Sequence, residues 1–155
     1  MDKRDLEQLL SDVAGGSVTP ADALTRIQTA PTADLGFAQL DLSRGVRQGA
    51  GEVVYGAGKT AEQIAAIIEA LHDAGQERIL VTRLDAEKAD RTSELLDNGI
   101  DLGYVPDAQL ALVGGKPSPT GNGRIVVACA GTSDLPVAEE AALTAEFYGN
   151  EVDRL

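Results

Sequence analysis

From residue 52 the chain alternates short apolar runs with stretches striped at helical spacing, and this rhythm restricts the fold to the α/β class. Val53-Val54-Tyr55 reads as a strand and Gly56-Ala57-Gly58 as a turn. Thr60 then caps a helix whose Ile64, Ile67, Ile68 and Leu71 share one face. Arg78-Ile79-Leu80-Val81-Thr82 is a second strand, and Asp85 opens a second helix that closes at Asn98-Gly99. Tyr104-Val105 and Leu110-Ala111-Leu112-Val113 are further strand candidates. Strands that alternate with helices favour a small parallel sheet over residues 52–113.

The flanks are organised differently. Leu6, Leu9, Leu10 and Val13 fall on one helical face, and Gly15-Gly16 ends that helix. Thr19-Pro20-Ala21-Asp22 reads as an N-cap, a proline at the first helical position and an acid in the positive first turn. Residues 2–30 are therefore expected to form a helical hairpin. Residues 32–51 show no clean period and read as an irregular, Gly-rich segment. Gly114 to Gly123 holds glycines, prolines, serine and asparagine in a composition that sustains no regular element, so 114–123 is a linker and a domain boundary.

Beyond the linker, Ile125 to Ala130 is an uninterrupted apolar run, as in a parallel strand buried on both faces. A helix follows, with Ala138, Ala141, Ala142, Ala145 and Tyr148 as its expected buried stripe, and Glu151–Leu155 begins another strand. Residues 1–123 thus read as one domain and 124–155 as the first β-α-β of a flavodoxin-like domain. Two strands and a helix bury too little to stand alone. Either the remainder of that domain is cut off, which the linker favours, or the unit docks onto the 52–113 sheet.

Charge excludes some roles. The 155 residues carry a net charge of −12, which disfavours nucleic acid and anionic membrane surfaces as partners. No run of ~18 apolar residues spans a membrane, and the N-terminus lacks a signal peptide's apolar core. A soluble cytoplasmic protein is expected. The single Cys129 excludes an internal disulfide, and its place in the apolar run marks it as an inert core residue. His72 stands alone as a surface residue, and no metal-ligand spacing exists.

Two segments carry chemistry. Gly131-Thr132-Ser133-Asp134-Leu135-Pro136-Val137 joins a strand end to a helix start, the place where open α/β sheets hold ligands. The hydroxyls of Thr132 and Ser133 with the helix amides suit a phosphate, Gly131 admits close approach, and Asp134 suits a ribose hydroxyl. The plainer alternative is that Ser133 and Asp134 only cap the helix. Asp41, Arg44 and Arg47 form the second cluster. Two guanidiniums clamp a carboxylate or a diphosphate, or they pair with surface acids. Gly58-Lys59-Thr60 fails as a P-loop, because Val53 stands where that motif needs its first glycine; it reads as a helix start.

Gly131-Thr132-Ser133-Asp134-Leu135-Pro136-Val137 with Ala138-Glu139-Glu140-Ala141 resembles the first strand–loop–helix of the PurE family of aminoimidazole ribonucleotide carboxylases. The preceding residues resemble the N-terminal domain of the LarB family. The similar stretches are Ala33 to Ala38, Leu40 to Arg44 with Arg47, Glu52 to Ile64, and Thr82 to Lys88; Gly51 departs from the family's usual proline. The PurE resemblance implies that Ser133 and Asp134, with Thr132 and Gly131, hold a nucleotide's phosphate and ribose.

The LarB resemblance implies an enzyme of nickel-pincer cofactor synthesis. Its substrate would be nicotinic acid adenine dinucleotide, with CO2 or bicarbonate as co-substrate and Mg2+ accompanying the diphosphate. It would carboxylate the pyridinium ring and release AMP. The family's nucleophilic cysteine is expected beyond Leu155, so no catalytic residue is assigned within this chain and the chain alone is expected to be inactive. Homo-oligomers, octamers in the complete family, are implied too. The rival readings are a non-catalytic nucleotide-binding or oligomerisation module, and a purine-pathway carboxylase relative.

Overall fold

The structure, a computed structural model, describes residues 3–28, 32–41, 52–97 and 99–155. Two helices open the chain, α1 (Lys3–Ala14) and α2 (Pro20–Gln28). They form the expected hairpin, with Leu9 and Ala23 buried. Gly16, at φ 75°, ends α1, and the Ser17 amide bonds back to the Asp12 carbonyl at 3.0 Å. Thr19 caps α2, accepting from the Asp22 amide at 3.1 Å.

The next segment departs from expectation. Strands β1 (Thr32–Asp34) and β2 (Gln39–Asp41) form an antiparallel hairpin where an irregular segment was expected. The cause is local turn chemistry. The Asp34 carboxylate accepts from the Gly36 amide at 2.8 Å, Gly36 takes φ 78°, and the Leu35 amide reaches the Ala38 carbonyl at 2.9 Å. Leu40 is buried in the main core.

That core is built on β3 (Val53–Tyr55), β4 (Ile79–Thr82), β5 (Leu102–Val105) and β6 (Leu110–Val113), hydrogen-bonded in the order β3-β4-β6-β5. Helix α3 (Ala61–Asp73) connects β3 to β4, which pair in parallel as expected. Helix α4 (Ala86–Leu95) leads from β4 to β5. The sheet is nevertheless mixed rather than wholly parallel. β6 runs antiparallel to both β4 and β5 and lies between them. Only a short 3-10 turn, Pro106–Ala108, joins β5 to β6. A parallel return would need a crossover of about a dozen residues.

Alternation sorts the strands' side chains onto two faces. Ile79, Val81, Ala111 and Val113 join the α3 stripe of Ile64, Ile67, Ile68 and Leu71. All four stripe residues are 2% exposed or less, as the spacing requires. Each fully buried side chain of this size contributes about 1.5–3 kcal/mol relative to exposure. Leu80, Leu110 and Leu112 point to the opposite face.

Residues 124–155 cover that opposite face. β7 (Arg124–Val127) and β8 (Glu151–Arg154) pair in parallel around α5 (Leu135–Phe147), the β-α-β expected from the sequence. Leu143 and Phe147 of α5 join Leu80, Ala108, Leu110 and Leu112 in a second cluster. The unit therefore docks on the 52–113 sheet. Segment 114–123 contains no helix or strand but is tied down. Lys116 pairs with Glu146 at 2.7 Å, and the Thr120 amide reaches the Gly149 carbonyl at 2.8 Å.

Three expectations for this unit need correction. β7 is not buried on both faces, since Ile125 is 40% and Val126 56% exposed. It pairs with β8, and α5 covers only one side of the pair. The strand also ends at Val127, so Cys129 lies beyond it and is only partly buried, its amide donating to the Leu155 carbonyl at 3.0 Å. Finally, the buried face of α5 is Ala142, Leu143 and Phe147, while Ala141 and Tyr148 are exposed. Apolar residues encircle this helix, so periodicity alone could not select the face that meets the sheet.

Candidate functional site

The Gly131–Asp134 loop stands at the C-terminal ends of two parallel strands. β7 leads into it, and the Leu155 amide extends the pairing at this end by donating to the Val127 carbonyl at 2.9 Å. The loop closes on itself through the Asp134 amide and the Gly131 carbonyl at 3.0 Å. All of Gly131 to Val137 is exposed. Asp134 is the N-cap residue of α5, yet its side chain makes no capping bond. Its carbonyl receives the Val137 and Ala138 amides at 3.1 and 2.9 Å instead. The residue itself is exposed.

Gly131 borders both polar side chains of the loop. A Cβ built there would lie 3.8 Å from the Ser133 Oγ and 3.9 Å from an Asp134 carboxylate oxygen. The two side-chain oxygens therefore both lie beside Gly131. A hydroxyl that donates and a carboxylate that accepts, beside the start of a 13-residue helix, suit a phosphoryl oxygen and a sugar hydroxyl respectively. Thr132 is in the same turn and exposed.

The other sequence candidates fall elsewhere. Asp41 is the last residue of β2 and is partly buried. Arg44 and Arg47 lie outside the described residues. The Gly58-Lys59-Thr60 segment is a helix start, with Thr60 in a full capping box with Gln63. The Lys59 ammonium turns back to the Tyr55 carbonyl at 2.9 Å. His72 is exposed, as expected.

Sequence reasoning missed the residues at the C-terminal edge of the four-stranded sheet. Lys88 reaches across from α4 to the Gly56 carbonyl at 3.4 Å and to Asp85 at 3.5 Å. The Asp85 carboxyl is held below its ordinary range, chiefly by the Lys88 amide it caps. Tyr104 donates its hydroxyl to the Leu84 carbonyl at 3.0 Å. Burial, and then the Asp85 and Asp90 carboxylates, push its phenol up. Arg83 leaves this edge to meet Glu140 of α5 at 2.9 Å. The family-like stretch Thr82 to Lys88 contained these residues, but no pattern in it marked their contacts.

A shallow depression on the sheet is lined by His72, Glu77, Asp101, Tyr104 and Val113, with neither Lys nor Arg. Two carboxylates make it a poor match for a diphosphate. Among the described residues no group of three or more His, Cys, Asp or Glu gathers to hold a metal ion.

Residues 32–114 match the family described as the LarB/PurE-like N-terminal domain. The chain belongs to the LarB family. An uncharacterized protein from Methanocaldococcus jannaschii is 32% identical over 115 residues, covering 73% of this chain and 45% of the relative. This LarB-family chain thus spans a little under half the length of that relative. No helix among the described residues is long and apolar enough to cross a membrane.

Proposed function

We propose that this chain is part of an enzyme that begins nickel-pincer nucleotide synthesis. The whole protein carboxylates the pyridinium ring of nicotinic acid adenine dinucleotide and hydrolyses its phosphoanhydride. The products are pyridinium-3,5-biscarboxylic acid mononucleotide and AMP. LarB-family membership supports this reading. The observation that carries this chain's share of the work is the placing of Ser133 Oγ and an Asp134 carboxylate oxygen beside Gly131 at the start of α5.

In this reading residues 124–155 are the opening β-α-β of a PurE-like domain. Gly131, Thr132 and Ser133 hold a substrate phosphate, and Asp134 accepts from the ribose. Asp41, Arg44 and Arg47 bear on the dinucleotide from the N-terminal domain. Mg2+ arrives with the diphosphate, since the loop offers one carboxylate and no closed ligand set. CO2 or bicarbonate supplies the new carboxyl group. The complete enzyme is a cytoplasmic homo-oligomer, an octamer as the family resemblance implies.

The ring-attacking nucleophile lies outside these residues. A covalent mechanism needs a nucleophile activated by a nearby base. Ser133 has no histidine in its loop, and Cys129, the one thiol, precedes the loop. Incubating the chain with the dinucleotide, bicarbonate and Mg2+ tests both halves of the reading. The expected result is bound dinucleotide without AMP. Failure to bind would remove the phosphate-loop assignment, and formation of the dicarboxylated mononucleotide would place the ring-attacking nucleophile within this chain.

A further inference from the structure

Arg83 holds a left-handed backbone, φ 54°. An L residue with a Cβ enters that region against steric resistance and stays there only when its surroundings insist. Here they do so from two sides. The Gly56 amide donates to the Thr82 carbonyl at 2.7 Å, and a Cβ on Gly56 would come within 3.2 Å of the Arg83 carbonyl. The Leu84 amide donates at 2.8 Å to the carbonyl of Gln109, itself left-handed at φ 47°. The ends of β3 and β4 and the β5–β6 turn together fix this kink.

The kink delivers the guanidinium to Glu140, Nε to Oε2 at 2.9 Å, with the Glu140 side chain 21% exposed. Glu140 sits in the second turn of α5, about 9 Å of helix beyond Asp134. The apolar anchors of α5 on the sheet, Leu143 and Phe147, lie one and two turns further along. Glu139, the neighbouring acid, is taken by Arg154 of the same β-α-β unit. The Arg83–Glu140 pair is thus a polar tie between the edge of the four-stranded sheet and the half of α5 nearest the loop.

We propose that Arg83 is a positioning residue. It fixes the first turns of α5, and with them the Gly131–Asp134 loop, at the C-terminal edge of the sheet. It acts through Glu140 and touches no ligand. Its consequence for binding rests on the reading of that loop as the phosphate holder; its consequence for the helix does not.

The test uses the 155-residue chain and two readouts. One is hydrogen exchange at the Val137 and Ala138 amides, with Leu80 and Val81 of β4 as the reference. The other is affinity for nicotinic acid mononucleotide. Arg83→Ala should speed exchange at Val137 and Ala138 while leaving Leu80 and Val81 protected, and should weaken affinity about fivefold, the upper end for an exposed ion pair. Glu140→Gln should match it, the double variant should be no worse than either single one, and Arg83→Lys should restore part of both signals. Arg83→Gly relieves the backbone yet should bind as poorly as the alanine variant. Ser133→Ala should weaken affinity without altering exchange; if it leaves affinity unchanged, the loop reading fails and exchange alone judges Arg83. Unchanged exchange at Val137 and Ala138 in Arg83→Ala, or an equal rise at Leu80 and Val81, overturns the positioning role.

Discussion

Arg154 donates to Glu146 at 2.6 Å, tying the end of β8 back to the last turn of α5. The other Glu146 oxygen takes Lys116 of the 114–123 segment at 2.7 Å. These cations, the Arg154 hydrogen bond foremost, hold the Glu146 carboxyl below the ordinary glutamate range despite its partial burial. A carboxylate depressed in the folded state stabilises the fold fully above its unfolded value near 4.5. That contribution is lost as pH falls through the lower folded value. Denaturant titrations between about pH 7 and pH 3 should show Glu146→Gln costing about 1 kcal/mol at neutral pH and losing less stability on acidification than the parent chain. The figure is held down by solvent screening at Arg154, whose side chain is 37% exposed. Parallel pH curves for the two proteins would contradict it.

Phe147 is 6% exposed, lies in the second core cluster and packs edge-to-face with Tyr148 at 5.3 Å between ring centroids. Phe147→Ala should cost about 3 kcal/mol. Because the cluster includes Leu80, Leu110 and Leu112, the loss should appear as faster hydrogen exchange in β4 and β6 as well as in α5. A loss confined to residues 124–155 would show that the two parts are energetically independent.

Gly114 and Gly123 bound the same segment but should respond oppositely to alanine. Gly114 takes φ 70°, and a Cβ there would collide with the Glu77 carbonyl. Gly123 has open space where its Cβ would go and no left-handed φ. Thermal melts should show Gly114→Ala destabilised by more than about 1 kcal/mol, and Gly123→Ala neutral or slightly stabilised. Equal melting temperatures for the two variants would mean that Gly114 is not held against Glu77.

The sheet and α3 were legible because burial there follows simple periods. Ile64, Ile67, Ile68 and Leu71 recur at helical spacing, and Val53 to Tyr55 and Ile79 to Thr82 are bounded by turn residues. The β1–β2 hairpin was hidden because Thr32–Asp34 and Gln39–Asp41 hold one apolar residue each and so offer no apolar run of the kind that marked Val53 to Tyr55. Its only signal was the Asp34–Gly36 turn. The insertion of β6 between β4 and β5 is a tertiary choice that an apolar run such as Leu110 to Val113 does not encode. The same holds for the side of α5 that faces the sheet. At the site, the Gly131–Asp134 loop was readable from residue types at a strand-to-helix junction. The Arg83–Glu140 tie was not, since nothing in an arginine announces a left-handed backbone or a partner 57 positions away.

The central claim, that the Gly131–Asp134 loop is the part of this chain that holds the substrate's phosphate, is tested most directly by mapping backbone amide shifts during titration with nicotinic acid adenine dinucleotide. The account predicts the largest shifts at Thr132, Ser133 and Asp134 and in the first turn of α5. It also predicts that Gly131→Ala abolishes them while the chain remains folded. The added methyl makes only ordinary contacts within the loop, at 3.8 and 3.9 Å, yet stands beside both oxygens where the ligand is to approach. Shifts centred on the Lys59–Lys88 edge or on the depression by His72, and retained in Gly131→Ala, would contradict it.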